Sequence, residues 1–142
     1  MSQEQIDVIQ RGSRAFNEAD IEGILEVSHP EVELNLIGGF ADVLGESNFR
    51  GHAGVRRLCM DWFATFETVR VHQEKFIEAG EQLVSLSRLK ATVAGSPTPV
   101  ELLSAYVWGF KEGKVVQQHG YYELRDAFEA VGLSEQDAHA GS

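Results

Sequence analysis

The sequence predicts an α+β domain in which helices pack on the concave face of a strongly curved antiparallel sheet. Apolar residues recur at helical spacing in the first half of the chain, and after Thr68 the period changes from about 3.6 to 2 and stays there to about Glu123. Between Val71 and Phe76 the apolar parity slips by one, which predicts a β-bulge that bends the sheet. Helices followed by a long bent meander leave a conical cavity between the two layers, and function is expected there.

The first segments predict two helices and a strand. A stripe at helical spacing marks the first helix, formed by Ile6, Ile9, Ser13 and Phe16. Asp20 is suited to cap a second, shorter helix, which His29-Pro30 ends because proline disfavours helical geometry in the preceding residue. From Glu31 to Ile37 the pattern alternates, with Val32, Leu34 and Leu36 on one face.

A long loop and the most strongly patterned helix come next. The segment from Gly38 to Gly51 is glycine-rich and is predicted to be a loop longer than most connections in a compact domain. Loops of this length often serve as lids or rims of a binding site. After it, apolar side chains fall at i, i+3, i+4, i+7, i+8 and i+11, which predicts the helix that carries most of the core: Val55, Leu58, Cys59, Trp62, Phe63 and Phe66.

The second half predicts four strands and a short final helix. The strands run from Val69 to Ala79, Leu83 to Ala94, Val100 to Lys111 and Lys114 to Leu124, joined by short turns as an antiparallel meander. Leu124, Phe128 and Val131 permit a last helix that Gly132 stops. Residues 1–133 then form a single domain, and 134–142 a flexible tail.

Charge and composition exclude several classes of partner. The net charge is −10 and no run of Lys or Arg occurs, so nucleic acid and anionic membrane surfaces are not expected partners. The first twenty residues lack a secretory apolar core, and no apolar run is long enough for a transmembrane helix. Cys59 is the single cysteine and no histidines have ligand spacing, so we expect no disulfide, metal or cofactor. The expected location is the cytoplasm.

Three stretches carry a resemblance to a known family. They are FRGHAGVRRL (49–58), YVWGFKEGKVVQQHGYYEL (106–124) and AFEAVGL (127–133). The chain resembles the SnoaL-like polyketide cyclases, which belong to the nuclear-transport-factor-2-like (NTF2-like) group together with ketosteroid isomerase and limonene epoxide hydrolase. The resemblance implies the NTF2-like cone fold and a homodimer through the outer sheet face, while the chemistry stays open because this fold hosts many functions.

The family's catalytic acids are only partly matched. The position of the isomerases' general-base aspartate corresponds to Asn35, which cannot take a proton at neutral pH. Their oxyanion donor corresponds to Tyr106, whose hydroxyl could still donate a hydrogen bond. The cyclases' aspartate on the last strand corresponds to Gly120, and a register slip of one would bring His119 to the inner face instead.

Strand alternation assigns a candidate pocket. The face that carries Ser104, Tyr106, Trp108 and Phe110 is bulky and partly polar, so we expect it to line the cavity, with Arg88 from the neighbouring strand. An outward-facing surface arginine is the alternative for Arg88. The remaining predicted pocket residues are Asn35, Trp62, Phe63, Val84, Leu86, Gln118 and Tyr122.

Two functions are compatible with these residues. In the first, the protein binds a small aromatic, polyketide- or steroid-like molecule and, if it is an enzyme, transfers a proton at carbon without a cofactor; Tyr106 and Arg88 hold an enolate oxygen and His119 is the base. In the second, it is a non-catalytic ligand-binding or dimeric interaction module. The opposite sheet face is apolar at Leu103, Ala105, Val107 and Val116, which independently predicts a homodimer.

Overall fold

The computed structural model describes residues 2–36, 48–93, 95–121 and 123–132. Its helices are α1 (Ser2–Asn17), α2 (Ile21–Glu26), α3 (Gly51–Thr65) and α4 (Leu124–Ala130). Its strands are β1 (Ser28–Asn35), β2 (Asn48–Arg50), β3 (Phe66–Ala79), β4 (Gln82–Val93), β5 (Pro99–Lys111) and β6 (Lys114–Tyr121). Most of the predicted loop and the whole predicted tail lie outside the described residues.

The helix predictions from periodicity and capping agree with the structure. The Asp20 carboxylate accepts the backbone N–H of Gly23 at 3.0 Å and begins α2 as expected. This helix ends at Glu26, earlier than His29-Pro30, because Ser28 already begins β1. The last helix stops before Gly132, whose φ of 79° favours glycine.

The six strands form one sheet in the order β2-β1-β6-β5-β4-β3. The meander from β3 to β6 is antiparallel as predicted, and the β3–β4 register shifts between Gln73 and Lys75, inside the segment where a bulge was expected. One pairing departs from the prediction of a purely antiparallel sheet. β1 runs parallel to β6, with Leu34 opposite Gln118, because the long path through α3 and the meander returns β6 to the side of β1.

Helices cover both faces of the curved sheet. The main core lies between the concave face and α1, α2 and α3, and it includes Ile9, Leu25, Trp62 and Trp108. A second cluster lies on the opposite, outer face, where α4 packs Ala127 and Phe128 against β3, β4 and β5. The outer face was expected to be free for a partner chain. Because α4 covers part of it, less apolar surface is available there for a second chain.

None of the helices in the described part of the chain combines the length and the apolar character that crossing a membrane requires. The cytoplasmic location stays a prediction.

Candidate functional site

The candidate site is a cavity of about 150 Å³ between the helices and the concave sheet face. Its wall is mostly apolar. The helices contribute Ile9, Phe16, Val55, Leu58, Cys59 and Trp62, and the strands contribute Leu34, Val71, Leu89, Tyr106, Trp108 and Val115. The polar groups of the wall come from a few side chains that the sheet register brings onto the same face.

A chain of hydrogen bonds, which we call the polar floor, runs along the concave sheet face, and its members Ser13, Gln73 and Trp108 line the cavity. The indole Nε1 of Trp108 donates to the Ser85 hydroxyl at 2.8 Å, and Ser85 lies 3.5 Å from the Ser87 hydroxyl. Ser87 in turn donates to Gln73 Oε1 at 2.5 Å, and Gln73 Nε2 donates to the Ser13 hydroxyl of α1 at 3.1 Å. These groups satisfy one another, so the sheet can bury two serines without an unpaired polar atom.

Two titratable side chains line the cavity in the described residues, and both are protonated at neutral pH. Burial raises the pKa of the Tyr106 phenol to about 12, opposed by a hydrogen bond with Ser104. Burial also raises the pKa of the Cys59 thiol to about 11, opposed by Arg56. Tyr106 is therefore a neutral hydrogen-bond donor, and Cys59 behaves as a small apolar group.

Gln118 brings a primary amide to the same wall. It is half-buried on β6, opposite Trp108 of β5 on one side and Leu34 of β1 on the other. Paired residues in a sheet point to the same face, so the register places Gln118 beside the indole. No hydrogen bond of its side chain occurs in the part of the chain that the structure describes, and its amide atoms stay accessible rather than fully buried.

The predicted parity of β4 was wrong. Val84 pairs with Val107, Leu86 with Ala105 and Arg88 with Leu103, so all three predicted pocket residues lie on the outer face. The concave face instead receives the alternate residues of the strand, of which Leu89 lines the cavity. Ser85 and Ser87 are buried on this face because the Trp108 indole and the Gln73 amide pair with them, while Val84 is buried in the cluster beneath α4.

Arg88 therefore belongs to a charged cluster on the outer face. Its guanidinium forms ion pairs with the carboxylates of Glu74 on β3 and Glu101 on β5. The hydrogen bond with Glu74, followed by that with Glu101, raises the pKa of Arg88, and the same pairing lowers the pKa of Glu74. Arg88 is thus the outward-facing arginine of the alternative reading and does not reach the cavity.

His119 and Asn35 also lie on the outer face. His119 pairs in register with Val107 of β5 and with Asn35 of β1. Its ring Nε2 lies 3.0 Å from Gln117 Nε2, and the Asn35 amide donates to Asn48 Oδ1 at 2.5 Å. The expected register held, with Gly120 opposite Tyr106 on the inner face, so His119 is turned away from the cavity and cannot act as a base there.

The aromatic predictions divide between the cavity and the helix layer. Trp62, Tyr106 and Trp108 line the cavity, and the last two rings lie 5.9 Å apart. Phe63 packs instead against Phe16 of α1 at 5.4 Å, because the register of α3 turns it toward the neighbouring helix. Tyr122 lies outside the described residues.

Sequence reasoning missed the polar floor formed by Ser13, Gln73, Ser85 and Ser87. The available signal is a pair of serines two residues apart in β4, which places both on one face, beside a neighbouring strand that carries a tryptophan on that face. The N–H of a buried tryptophan needs a hydrogen-bond acceptor. Ser85 supplies it from a diagonal position, two residues along β4 from the residue that pairs with Trp108.

The outer face exposes less apolar surface than the sequence indicated. Ala105 and Val107 are buried beneath α4, and Val116 is half-buried, whereas Leu103 remains 48% exposed.

Among the described residues, no cluster of three or more His, Cys, Asp or Glu side chains is arranged to hold a metal ion.

Comparisons with known proteins agree with this architecture. TerC, co-crystallised with polyporic acid, is 24% identical with a TM-score of 0.75, covering 91% of this chain and 98% of its own. A Mycobacterium tuberculosis protein in complex with estradiol-17β-hemisuccinate is 16% identical with a TM-score of 0.71, covering 85% and 95%. A Catenulispora acidiphila protein with a ketosteroid isomerase-like fold, in complex with trimethylamine, is 15% identical with a TM-score of 0.70, covering 89% and 92%.

At these low identities, the TM-scores show that the proteins share a fold with this chain and nothing more. No curated protein matches the chain significantly. The profile of the SnoaL-like domain matches residues 9–118, from the middle of α1 to the cavity-facing Gln118 of β6. The chain therefore belongs to the SnoaL-like domain family and has the NTF2-like fold.

Proposed function

We propose that this protein binds a small, uncharged, mostly apolar molecule in the concave cavity and does not transform it. The observation that carries the proposal is the charge of the wall. Among its described residues the cavity has no Asp, Glu, His, Lys or Arg, and its two titratable groups, Cys59 and Tyr106, are both protonated at neutral pH. An ionised ligand would lose its hydration there without gaining a counter-charge.

The volume favours a ligand portion of one aromatic ring. An apolar cavity of about 150 Å³ is known to hold benzene, and the cavity of this protein has the same volume, about 150 Å³. The flanking rings of Trp62, Tyr106 and Trp108 suit an aromatic ligand. A polycyclic polyketide- or steroid-like molecule would have to extend beyond this volume, as would estradiol-17β-hemisuccinate, the ligand of the Mycobacterium tuberculosis neighbour.

The cavity wall argues against the cyclase- or isomerase-type alternative. Proton transfer at carbon needs a base that is unprotonated near neutral pH. With a pKa of about 11, only about one Cys59 thiol in ten thousand is ionised at pH 7, and the phenol of Tyr106 is ionised less often still. His119 and Arg88 lie across the sheet, so the described residues supply neither the base nor the cation of that mechanism.

Tryptophan fluorescence tests the proposal directly. Trp62 and Trp108 are the only tryptophans of the chain and both line the cavity, so a ligand there changes the whole indole signal. We expect saturable binding of toluene and none of benzoate, which is similar in size but charged. Failure of toluene to bind, or equal binding of benzoate, would overturn the proposal.

A matched pair of variants locates the binding. Cys59→Phe introduces one ring into a cavity of one-ring size and should abolish the toluene signal. Met60→Phe adds the same ring to the next residue of α3, whose side chain is 58% exposed, and should leave binding unchanged. If both variants bind toluene like the parent, the ligand lies elsewhere.

The homodimer remains part of the proposal. Its support on this chain is Leu103, which is 48% exposed on the outer face beside Ala105 and Val107, the two residues that α4 covers. Sedimentation equilibrium at micromolar concentration should give a dimer. A monomer that persists at that concentration would remove this part of the proposal.

A further inference from the structure

We propose that Gln118 selects the ligand: the cavity favours an uncharged aromatic molecule that carries one hydroxyl or carbonyl oxygen over the corresponding hydrocarbon. This inference rests on the proposed binding function and adds the chemical class of the ligand and the residue that reads it. The reason is that most polar side chains of the cavity wall already form hydrogen bonds within the protein, whereas the Gln118 amide does not.

Most polar groups of the wall are engaged within the protein. Ser13, Gln73 and the buried serines form the hydrogen-bonded floor that ends at the Trp108 indole. The Ser28 hydroxyl donates to the Ile24 carbonyl at 2.8 Å. A ligand that bound to these groups would have to break a bond in the protein, so they add little to its affinity.

Gln118 is different because its amide offers both a donor and an acceptor without a partner in the described chain. Its neighbours on the concave face are the Trp108 indole and Leu34, and neither supplies a free polar atom to it. A half-buried amide in apolar surroundings gains more from a ligand hydrogen bond than an amide in water does, because the bond replaces weaker hydration.

Tyr106 narrows the class of ligand. It lies opposite Gly120 on β6, so it is a diagonal neighbour of Gln118 on the same face, about 7 Å away between backbones. Its phenol keeps its proton because burial raises its pKa to about 12. An oxygen held between a neutral phenol and a neutral amide is itself neutral, which favours a hydroxyl or a carbonyl over a carboxylate.

The test compares toluene with p-cresol, which differ by one hydroxyl. The parent should bind p-cresol about five- to ten-fold more tightly than toluene, the range that one hydrogen bond contributes. In Gln118→Leu most of this preference should disappear, leaving only the part that the Tyr106 phenol supplies, while toluene binding persists or improves. Gln117→Leu changes the adjacent glutamine, which pairs with Gly109 on the outer face, and should keep the preference.

The outcomes separate this inference from the binding function on which it rests. If toluene binds but Gln118→Leu keeps the parent's preference for p-cresol, Gln118 does not read the oxygen and the inference is overturned, while the binding function stands. If toluene does not bind the parent at all, the binding function itself fails. Gln118→Met, with an unbranched side chain of similar length, serves if the leucine variant does not fold, and the same loss of preference is expected.

Discussion

Replacing Phe128 tests how firmly α4 is attached to the outer face of the sheet. The Phe128 ring is 2% exposed and packs in one cluster with Ile77, Val84, Ala105 and Val107. A buried phenylalanine that is truncated to alanine costs about 3–5 kcal/mol. We expect the lower end, about 3 kcal/mol, for Phe128→Ala because a helix of only seven residues can release from the sheet and let water replace the ring.

The mode of the loss follows from the length of the helix. α4 has seven residues and no side-chain hydrogen bond at its N-cap, so it cannot persist in water without its contact with the sheet. The variant should therefore expose Val84, Ala105 and Val107 and associate with itself more strongly. Toluene binding should survive, since the cavity lies on the other side of the sheet.

Urea unfolding followed by circular dichroism measures the effect. With an m-value of about 2 kcal/mol per molar urea, a loss of about 3 kcal/mol lowers the midpoint by about 1.5 M. Glu129→Ala changes the exposed neighbour on the same helix and should shift stability by no more than about 0.5 kcal/mol. If Phe128→Ala behaves like this control, the packing of α4 contributes nothing and the reasoning is refuted.

Two further predictions concern the cavity side. Ser85→Ala leaves the Trp108 indole without its acceptor and should lower the free energy of unfolding by about 1–3 kcal/mol in urea, whereas Thr98→Ala on the surface should not; equal stabilities would exclude a structural role for the bond. The folded pKa values of Cys59 and Tyr106, about 11 and about 12, exceed their ordinary values of 9.0 and 10.0, so folding favours the protonated forms. Their contribution to stability should be constant below pH 9 and lost as the pH rises toward 12; a pH-independent melting temperature between 9 and 11 would contradict the burial of both groups.

The elements of the fold were accessible from the sequence because each depends on local pattern. The stripe of α3, the Asp20 cap and the bulge near Gln73 follow from spacing within one segment. The parallel pairing of β1 with β6 was not accessible, since nothing local to residues 28–35 records which distant strand lies beside them.

The site was harder to predict because both faces of β4 mix apolar and polar side chains. Bulk favoured Val84 and Leu86 as the inner residues, but α4 covers that side of the strand, and the hydrogen bonds of Trp108 and Gln73 make serine acceptable on the other. The choice of face depended on two partners from distant segments. On β5, where only one face carries bulky aromatic side chains, the inner position of Trp108 was predicted correctly, and Gln118 of β6 lies on the same face because it pairs with Trp108.

The pairing of β1 with β6 has a consequence for how the chain is made. The Val115 N–H donates to the Val27 carbonyl at 2.9 Å, and Val27 directly precedes β1. The start of β1 is therefore held by a residue that is synthesised almost ninety positions later. Until then the apolar sides of α1, α2 and α3 have no sheet of full width to cover. A nascent chain arrested before β6 should therefore remain aggregation-prone and protease-sensitive. Completion of the chain and its release from the ribosome should convert it to the native form in one slow, late step.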